Sequence, residues 1–189
     1  MRFKVVAKLL GALLILLSLF MFGCGLYDLV LPMNECTNAF ESLSYGAAIT
    51  FVSGVILSLI GWGKMDRVSR REGVIIVGLG WILSALFGAI PYYFCDPLPG
   101  LGEEKLGIVA SIFESASGIT TTGSTNLNNI EAWPKSLLLW RAMTQWLGGL
   151  GILVIFVALM SYLGMGAKSL FRNESSFQTG EASVARIRD

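Results

Sequence analysis

The sequence predicts an all-α polytopic membrane protein: four transmembrane helices, plus a short re-entrant helix and an irregular loop that dip in from one side. Three observations predict it. Of 189 residues, 54% are hydrophobic and 14% charged, where a soluble domain carries about 25% charged residues. Four apolar runs approach or exceed the roughly 20 residues that span a hydrocarbon core. Between the third and fourth runs lies Glu114 to Thr125, E-S-A-S-G-I-T-T-T-G-S-T, a polar and glycine-bearing stretch behind a short apolar segment. Irregular backbone at membrane depth is tolerated only where protein buries it or water lines it.

In chain order, residues 1–63 make a leading pair of spans. Arg2, Lys4 and Lys8 precede an apolar run that extends to about Leu31, longer than the roughly 7–15-residue core of a signal peptide. Pro32 ends it. Met33 to Ser44 is a polar loop with Glu35 and Glu41. The second span, Tyr45 to Trp62, is uncharged; Gly54 and Gly61 on it suit either close helix approach or exposure to lipid. Residues 64–72 form a basic loop. A third span covers 73–94, with Pro91 marking its exit. Asp96 to Gly102 is loop chemistry. Glu103 and Glu104 suit the start of a helix over 106–117, about 18 Å long and too short to cross. The fourth span is 137–165, and 166–189 is a polar tail. The N-terminus, the basic loop and the tail hold eleven of the basic residues, whereas the opposite loops hold Lys105 and Lys135. Both termini are therefore expected in the cytoplasm.

The chemistry centres on residues 118–124. Gly118 follows the short helix and suits a left-handed C-cap. The helix C-terminus carries partial negative charge, which favours a cation beyond it. Thr120, Thr121 and Thr122 are β-branched and predict an extended path. Extended chain without a sheet partner leaves carbonyls free, and a ring of carbonyls replaces a cation's hydration shell. Gly123 supplies positive φ or close approach. An ordinary surface loop has the same composition, and the surrounding order of elements argues for a pore loop instead. Glu114 is either a brace behind the loop or a carboxylate reaching interfacial water. Arg141 either snorkels to the interface or joins Gln145, Gly148 and Ile152 on a helix face that meets the loop. Gly148, Gly149 and Gly151 allow close packing or a bend.

Composition also weighs against other classes. The chain has no His, the commonest general base and neutral metal ligand. Ser115-Ala-Ser117-Gly118 therefore has no imidazole to activate a serine nucleophile, and an enzyme is not expected. Cys24, Cys36 and Cys95 lack metal-site spacing. Cys36 and Cys95 both fall in outward loops, either as a disulfide or as two unrelated thiols.

The run F-E-S-A-S-G-I-T-T-T-G-S-T, followed by W-P-K-S-L-L-L-W-R-A-M-T-Q-W-L-G-G-L-G-I, resembles the first pore repeat of the Trk/Ktr/HKT superfamily of potassium transporters. S-A-L-F-G-A-I-P resembles that repeat's first helix. The leading spans resemble the helix pair that precedes the pore repeats in one branch of the family. The resemblance implies that 73–165 is a potassium-channel-like unit, with Thr120, Thr121, Thr122 and Gly123 as the filter strand. It implies potassium held by backbone carbonyls, chiefly those of Thr121, Thr122 and Gly123, and Glu114, Gly118, Arg141 and Gln145 in support. It further implies residence in the bacterial inner membrane, potassium uptake or symport without an organic cofactor or nucleic acid, and a cytoplasmic RCK-type nucleotide-binding ring as partner. Family members carry four unequal repeats, and one is visible here. The expectation is therefore a chain that works with the remaining repeats or with identical chains; the alternative is a non-conducting, truncated or split subunit that assembles with or regulates a full transporter.

Overall fold

The computed structural model describes residues 3–30, 38–63 and 68–162, and among these every regular element is helical. In chain order they are α1 (Phe3–Val30), α2 (Ala39–Ile60), α3 (Arg70–Gly88), α4 (Ile90–Phe94), α5 (Ile108–Ile119), a 3-10 turn (Ile130–Ala132) and α6 (Lys135–Tyr162). The chain divides into two units, Met1–Gly149 and Leu150–Asp189. All packing described below lies within the first unit. Of the second, the described residues are the helical ones through Tyr162.

Among the described residues, three stretches are long and apolar enough to cross a membrane: Phe3–Asp28, Ala39–Ile60 and Arg71–Phe94. The fourth expected span falls on α6, which begins at Lys135; residues 163–165 of that expectation, like the tail, lie outside the described residues. The basic loop is described from Val68 onward. There Ser69 Oγ accepts from Glu72 N while Ser69 N donates to Glu72 Oε2 at 2.9 Å, a reciprocal capping box that starts α3.

Several boundaries differ from expectation. Helix α2 starts at Ala39, six residues before the uncharged run, because Ser42 donates back to the Asn38 carbonyl and keeps the polar turn helical. The third span reaches Phe94 as expected, with Pro91 inside its last turn. Pro91 has no N–H to offer the Phe87 carbonyl, so the helix breaks at Ala89 and resumes as α4 for one turn. Trp140 Nε1 from α6 donates to the Gly88 carbonyl at 3.1 Å and fills the break. The acidic pair before α5 does not cap it. Gly107 is the N-cap, and Glu103 instead accepts from the amides of Asn128 and Asn129 at 3.1 and 3.2 Å, tying the loop before α5 to the loop after it.

The leading pair packs backbone on backbone. A Cβ on Gly54 would lie 2.9 Å from the Gly11 carbonyl, and one on Gly61 would lie 2.5 Å from the Lys4 carbonyl. Of the two readings open for these glycines, close approach is the one realised. A core of Leu14, Met21, Leu43, Tyr92, Trp133, Leu137 and Trp140 continues from this pair beneath α4 and the start of α6. Polar latches join the same regions: Asp28 Oδ2 accepts from Ser136 Oγ at 2.7 Å, and Asn38 Nδ2 donates to Asp96 Oδ2 at 2.8 Å.

Candidate functional site

Helix α5 is wedged between α3 and α6 by small residues. A Cβ on Gly88 of α3 would meet Ser115 Oγ at 2.5 Å, one on Gly118 would collide with Thr144 Oγ1, and one on Gly148 would collide with the Ile119 carbonyl. Gly148 therefore serves close packing rather than a bend. Gly118 is corrected by the same contacts. It is not the C-cap but lies inside α5, where only hydrogen fits against Thr144, and the helix runs on to Ile119 with Thr120 as C-cap.

The turn that follows is also not the extended threonine run expected. Thr121 N donates to the Gly118 carbonyl at 2.9 Å and Thr122 N to the Ser117 carbonyl at 3.0 Å. This pair of bonds is the Schellman termination, whose left-handed position falls on Thr121, with φ 58°. Three β-branched residues disfavour helix, but hydroxyls bonded within the turn compensate. Thr120 Oγ1 donates to the Ala116 carbonyl and Thr121 Oγ1 to the Thr120 carbonyl, each at 2.7 Å. Gly123 then takes φ 78° and the chain reverses. Ser117 Oγ donates to the Ser124 carbonyl at 2.6 Å and pins the outgoing strand to α5.

Beneath this loop lies one buried carboxylate. Glu114 is completely buried. Its Oε1 accepts from Thr125 Oγ1 at 2.8 Å and from the Asn126 amide, and its Oε2 accepts from Arg141 Nε at 3.2 Å. Arg141 Nη2 continues to the Gly123 carbonyl at 3.2 Å. Of the readings open for these two side chains, the structure realises contact with the loop for both. A buried charge is tolerated only when paired and hydrogen-bonded, and here both conditions are met. Gln145 sits one turn further along α6, its Nε2 3.9 Å from where a Cβ on Gly123 would be.

Carbonyl availability differs from expectation in two places. The Gly123 oxygen faces the Arg141 guanidinium, the charged donor that Glu114 holds beside it. The Thr120 oxygen accepts from the hydroxyl of Thr121. Among the described residues no donor reaches the Thr121 or Thr122 oxygens. Thr120 to Asn126 are exposed. Ser117, Thr125, Asn126 and Thr144 were not singled out from sequence. Ser117 had a usable signal, being four residues before Thr121 and thus the residue whose carbonyl the turn must satisfy; the others had none.

Cys95 is buried beside Asp96, and that burial, with the charges of Asp96 and Asp28 adding to it, pushes its thiol up to about 12. Cys36 lies outside the described residues. Among the described residues no group of His, Cys, Asp and Glu has the arrangement of a metal-chelating cluster.

Comparison with known proteins places this geometry. Residues 47–187 match the family model described as TrkH, cation transport protein. The Trk system potassium uptake protein TrkH of Escherichia coli K12 is 34% identical over 180 residues, which cover 92% of this chain and 34% of that protein. TrkG of the same organism is 32% identical over 133 residues, covering 67% of this chain and 26% of TrkG. The crystal structure of the potassium transporter TrkH from Vibrio parahaemolyticus superposes with a TM-score of 0.74 at 26% identity, over 93% of this chain and 37% of that one. The chain thus spans about a third of the length of these relatives, and it belongs to the TrkH family of cation transport proteins.

Proposed function

We propose that this chain takes part in potassium transport across a membrane as part of a Trk-type uptake system, supplying one strand of an ion filter. The observation that carries the reading is the buried Glu114–Arg141 pair, which braces residues 123–126 over the C-terminus of α5. A buried ion pair spent on an exposed loop serves to fix that loop's geometry. The α5 C-terminus carries partial negative charge, and the unbonded Thr121 and Thr122 oxygens lie in the exposed turn that follows it, a combination that suits a cation losing its water. The relatives' names supply the ion, potassium. On this reading the four spans are α1, α2, α3 with α4, and α6, and α5 is the re-entrant helix. Both termini face the cytoplasm of a bacterial inner membrane, as the distribution of Arg and Lys favours. The role is that of a transporter subunit rather than an enzyme.

One loop cannot surround an ion. The exposed side of Thr120–Asn126 is where three further loops close the ring, from the remaining repeats or from identical chains. A cytoplasmic RCK-type ring remains a proposed partner on family resemblance. The alternative is a subunit that assembles with or regulates a transporter without conducting. Reconstitution separates them: potassium flux from assemblies that contain four such loops supports the first, and silence from every such assembly supports the second. Flux through a strictly monomeric chain contradicts both. For topology, a cysteine placed at Asn128 is expected to react with an impermeant thiol reagent from outside, and one at Ser175 is not; the reverse labelling overturns the orientation.

A further inference from the structure

Thr121 occupies a backbone position that glycine fills in most helices. It is the left-handed residue of a complete Schellman termination, and among the described residues it is the one non-glycine with positive φ. For a β-branched residue this conformation is a true outlier, and such strain persists only where the surroundings over-determine it. The surroundings here do so. Thr120 Oγ1 spends its proton on the Ala116 carbonyl, so in its 2.8 Å contact with Thr122 Oγ1 the proton comes from Thr122. Thr121 Oγ1 is committed to the Thr120 carbonyl at 2.7 Å. All three hydroxyl protons are thereby used inside the turn. The Thr121 methyl carbon lies 4.0 Å from where a Cβ on Gly149 would be, so the bare face of α6 leaves it room. Gly123, two residues on, also takes positive φ (78°) and has the freedom that Thr121 lacks.

We propose that Thr121 is a positioning residue for ion selectivity, whose side chain locks a strained turn so that the Thr121 and Thr122 carbonyls leave α5 in one fixed direction. The proposal rests on the reading of this loop as a filter strand. Glycine at this position accepts the same φ without strain but also accepts many others, so it keeps the fold and loses the lock. The expected result separates selectivity from stability. In the conducting assembly, Thr121→Gly lowers preference for potassium over sodium roughly tenfold, the scale set by strain of this kind, while the thermal midpoint of the purified chain stays the same or rises. Thr121→Ser, which keeps the Cβ and the hydroxyl, retains most of the preference. Competitive uptake of the two ions, at matched surface expression, is the measurement, with Gly123→Ser run alongside. If Gly123→Ser lowers selectivity and Thr121→Gly does not, this inference falls and the filter reading stands. If neither changes selectivity, the filter reading falls and takes the inference with it. A Thr121→Gly variant that loses thermal stability and selectivity together has an ordinary structural role, and that outcome also overturns the lock.

Discussion

The leading pair and the α5–α6 region solve the same packing problem by opposite means. Helices α1 and α2 meet along glycines, with Gly11, Gly54 and Gly61 letting backbone touch backbone over several turns. The contact is spread along the helices, so one substitution disturbs one turn. The loop after α5 is polar and depends on a single carboxylate. Glu114 serves Thr125, Asn126 and Arg141, and through Arg141 it reaches Gly123. Dispersed packing tolerates local loss, whereas a hydrogen-bonded hub does not. The difference predicts that one substitution at the hub disturbs several bonds at once, whereas one substitution in the leading pair disturbs a single turn.

Glu114→Gln should produce the largest effect. It leaves the Arg141 guanidinium without its counter-charge. Removing one partner of a buried pair costs about 3–5 kcal/mol, and the lower end applies because the Arg141 side chain keeps 20% of its surface exposed. The expected outcome is a lowered thermal midpoint with potassium uptake lost; a variant with wild-type uptake would remove the hub from the account. Gly148→Ala comes next. Its methyl has no room against the Ile119 carbonyl, and overpacking of this kind costs about 1–3 kcal/mol. Because the collision is with the end of α5, uptake should fall along with stability.

Gly54→Ala sharpens the contrast from the other side. Its Cβ would sit 2.9 Å from both the Gly11 carbonyl and Ile15 Cγ1, so a loss of about 1–2 kcal/mol is expected in thermal unfolding. Ion preference should not change. Altered selectivity here would break the separation between the two regions. The smallest effect concerns Cys95. Its thiol is buried and raised to about 12, so at pH 8 almost no thiolate is present. In a background with Cys24 and Cys36 replaced by Ser, maleimide labelling of Cys95 at pH 8 should be slow in the folded protein and fast after denaturation. Rapid labelling of the folded form would contradict the burial.

Much of the architecture could be read from residue pattern because it follows from hydrophobic length and charge bias. The apolar runs located α1, α2 and α3, and the short helix expected over 106–117 lies within two residues of α5 at each end. The start of α2 was misplaced because local bonds override composition: Ser42 draws a polar turn into the helix. In the site, the importance of Glu114 and Arg141 was legible because charges in apolar segments need partners. The turn was not. Three threonines suggest extended chain, yet their hydroxyls close a helix terminus, and propensity carries no record of those bonds. The diversion of the Gly123 carbonyl to Arg141 was equally hidden, since it depends on two elements 18 residues apart meeting in space.

The central claim is that residues 120–123 form a filter strand, and its most direct test is ion preference in Gly123→Ser compared with Ser124→Ala. Gly123 has φ 78° and nothing nearer than Gln145 Nε2, at 3.9 Å, to meet a new Cβ. Serine therefore fits by volume, and its effect comes from backbone strain of about 1–3 kcal/mol. Ser124→Ala changes a side chain and leaves the carbonyl that Ser117 holds. With surface expression matched, competitive uptake of potassium and sodium should show a marked loss of potassium preference in Gly123→Ser and little change in Ser124→Ala. Unchanged preference in Gly123→Ser at normal expression would contradict the assignment of this loop as the filter.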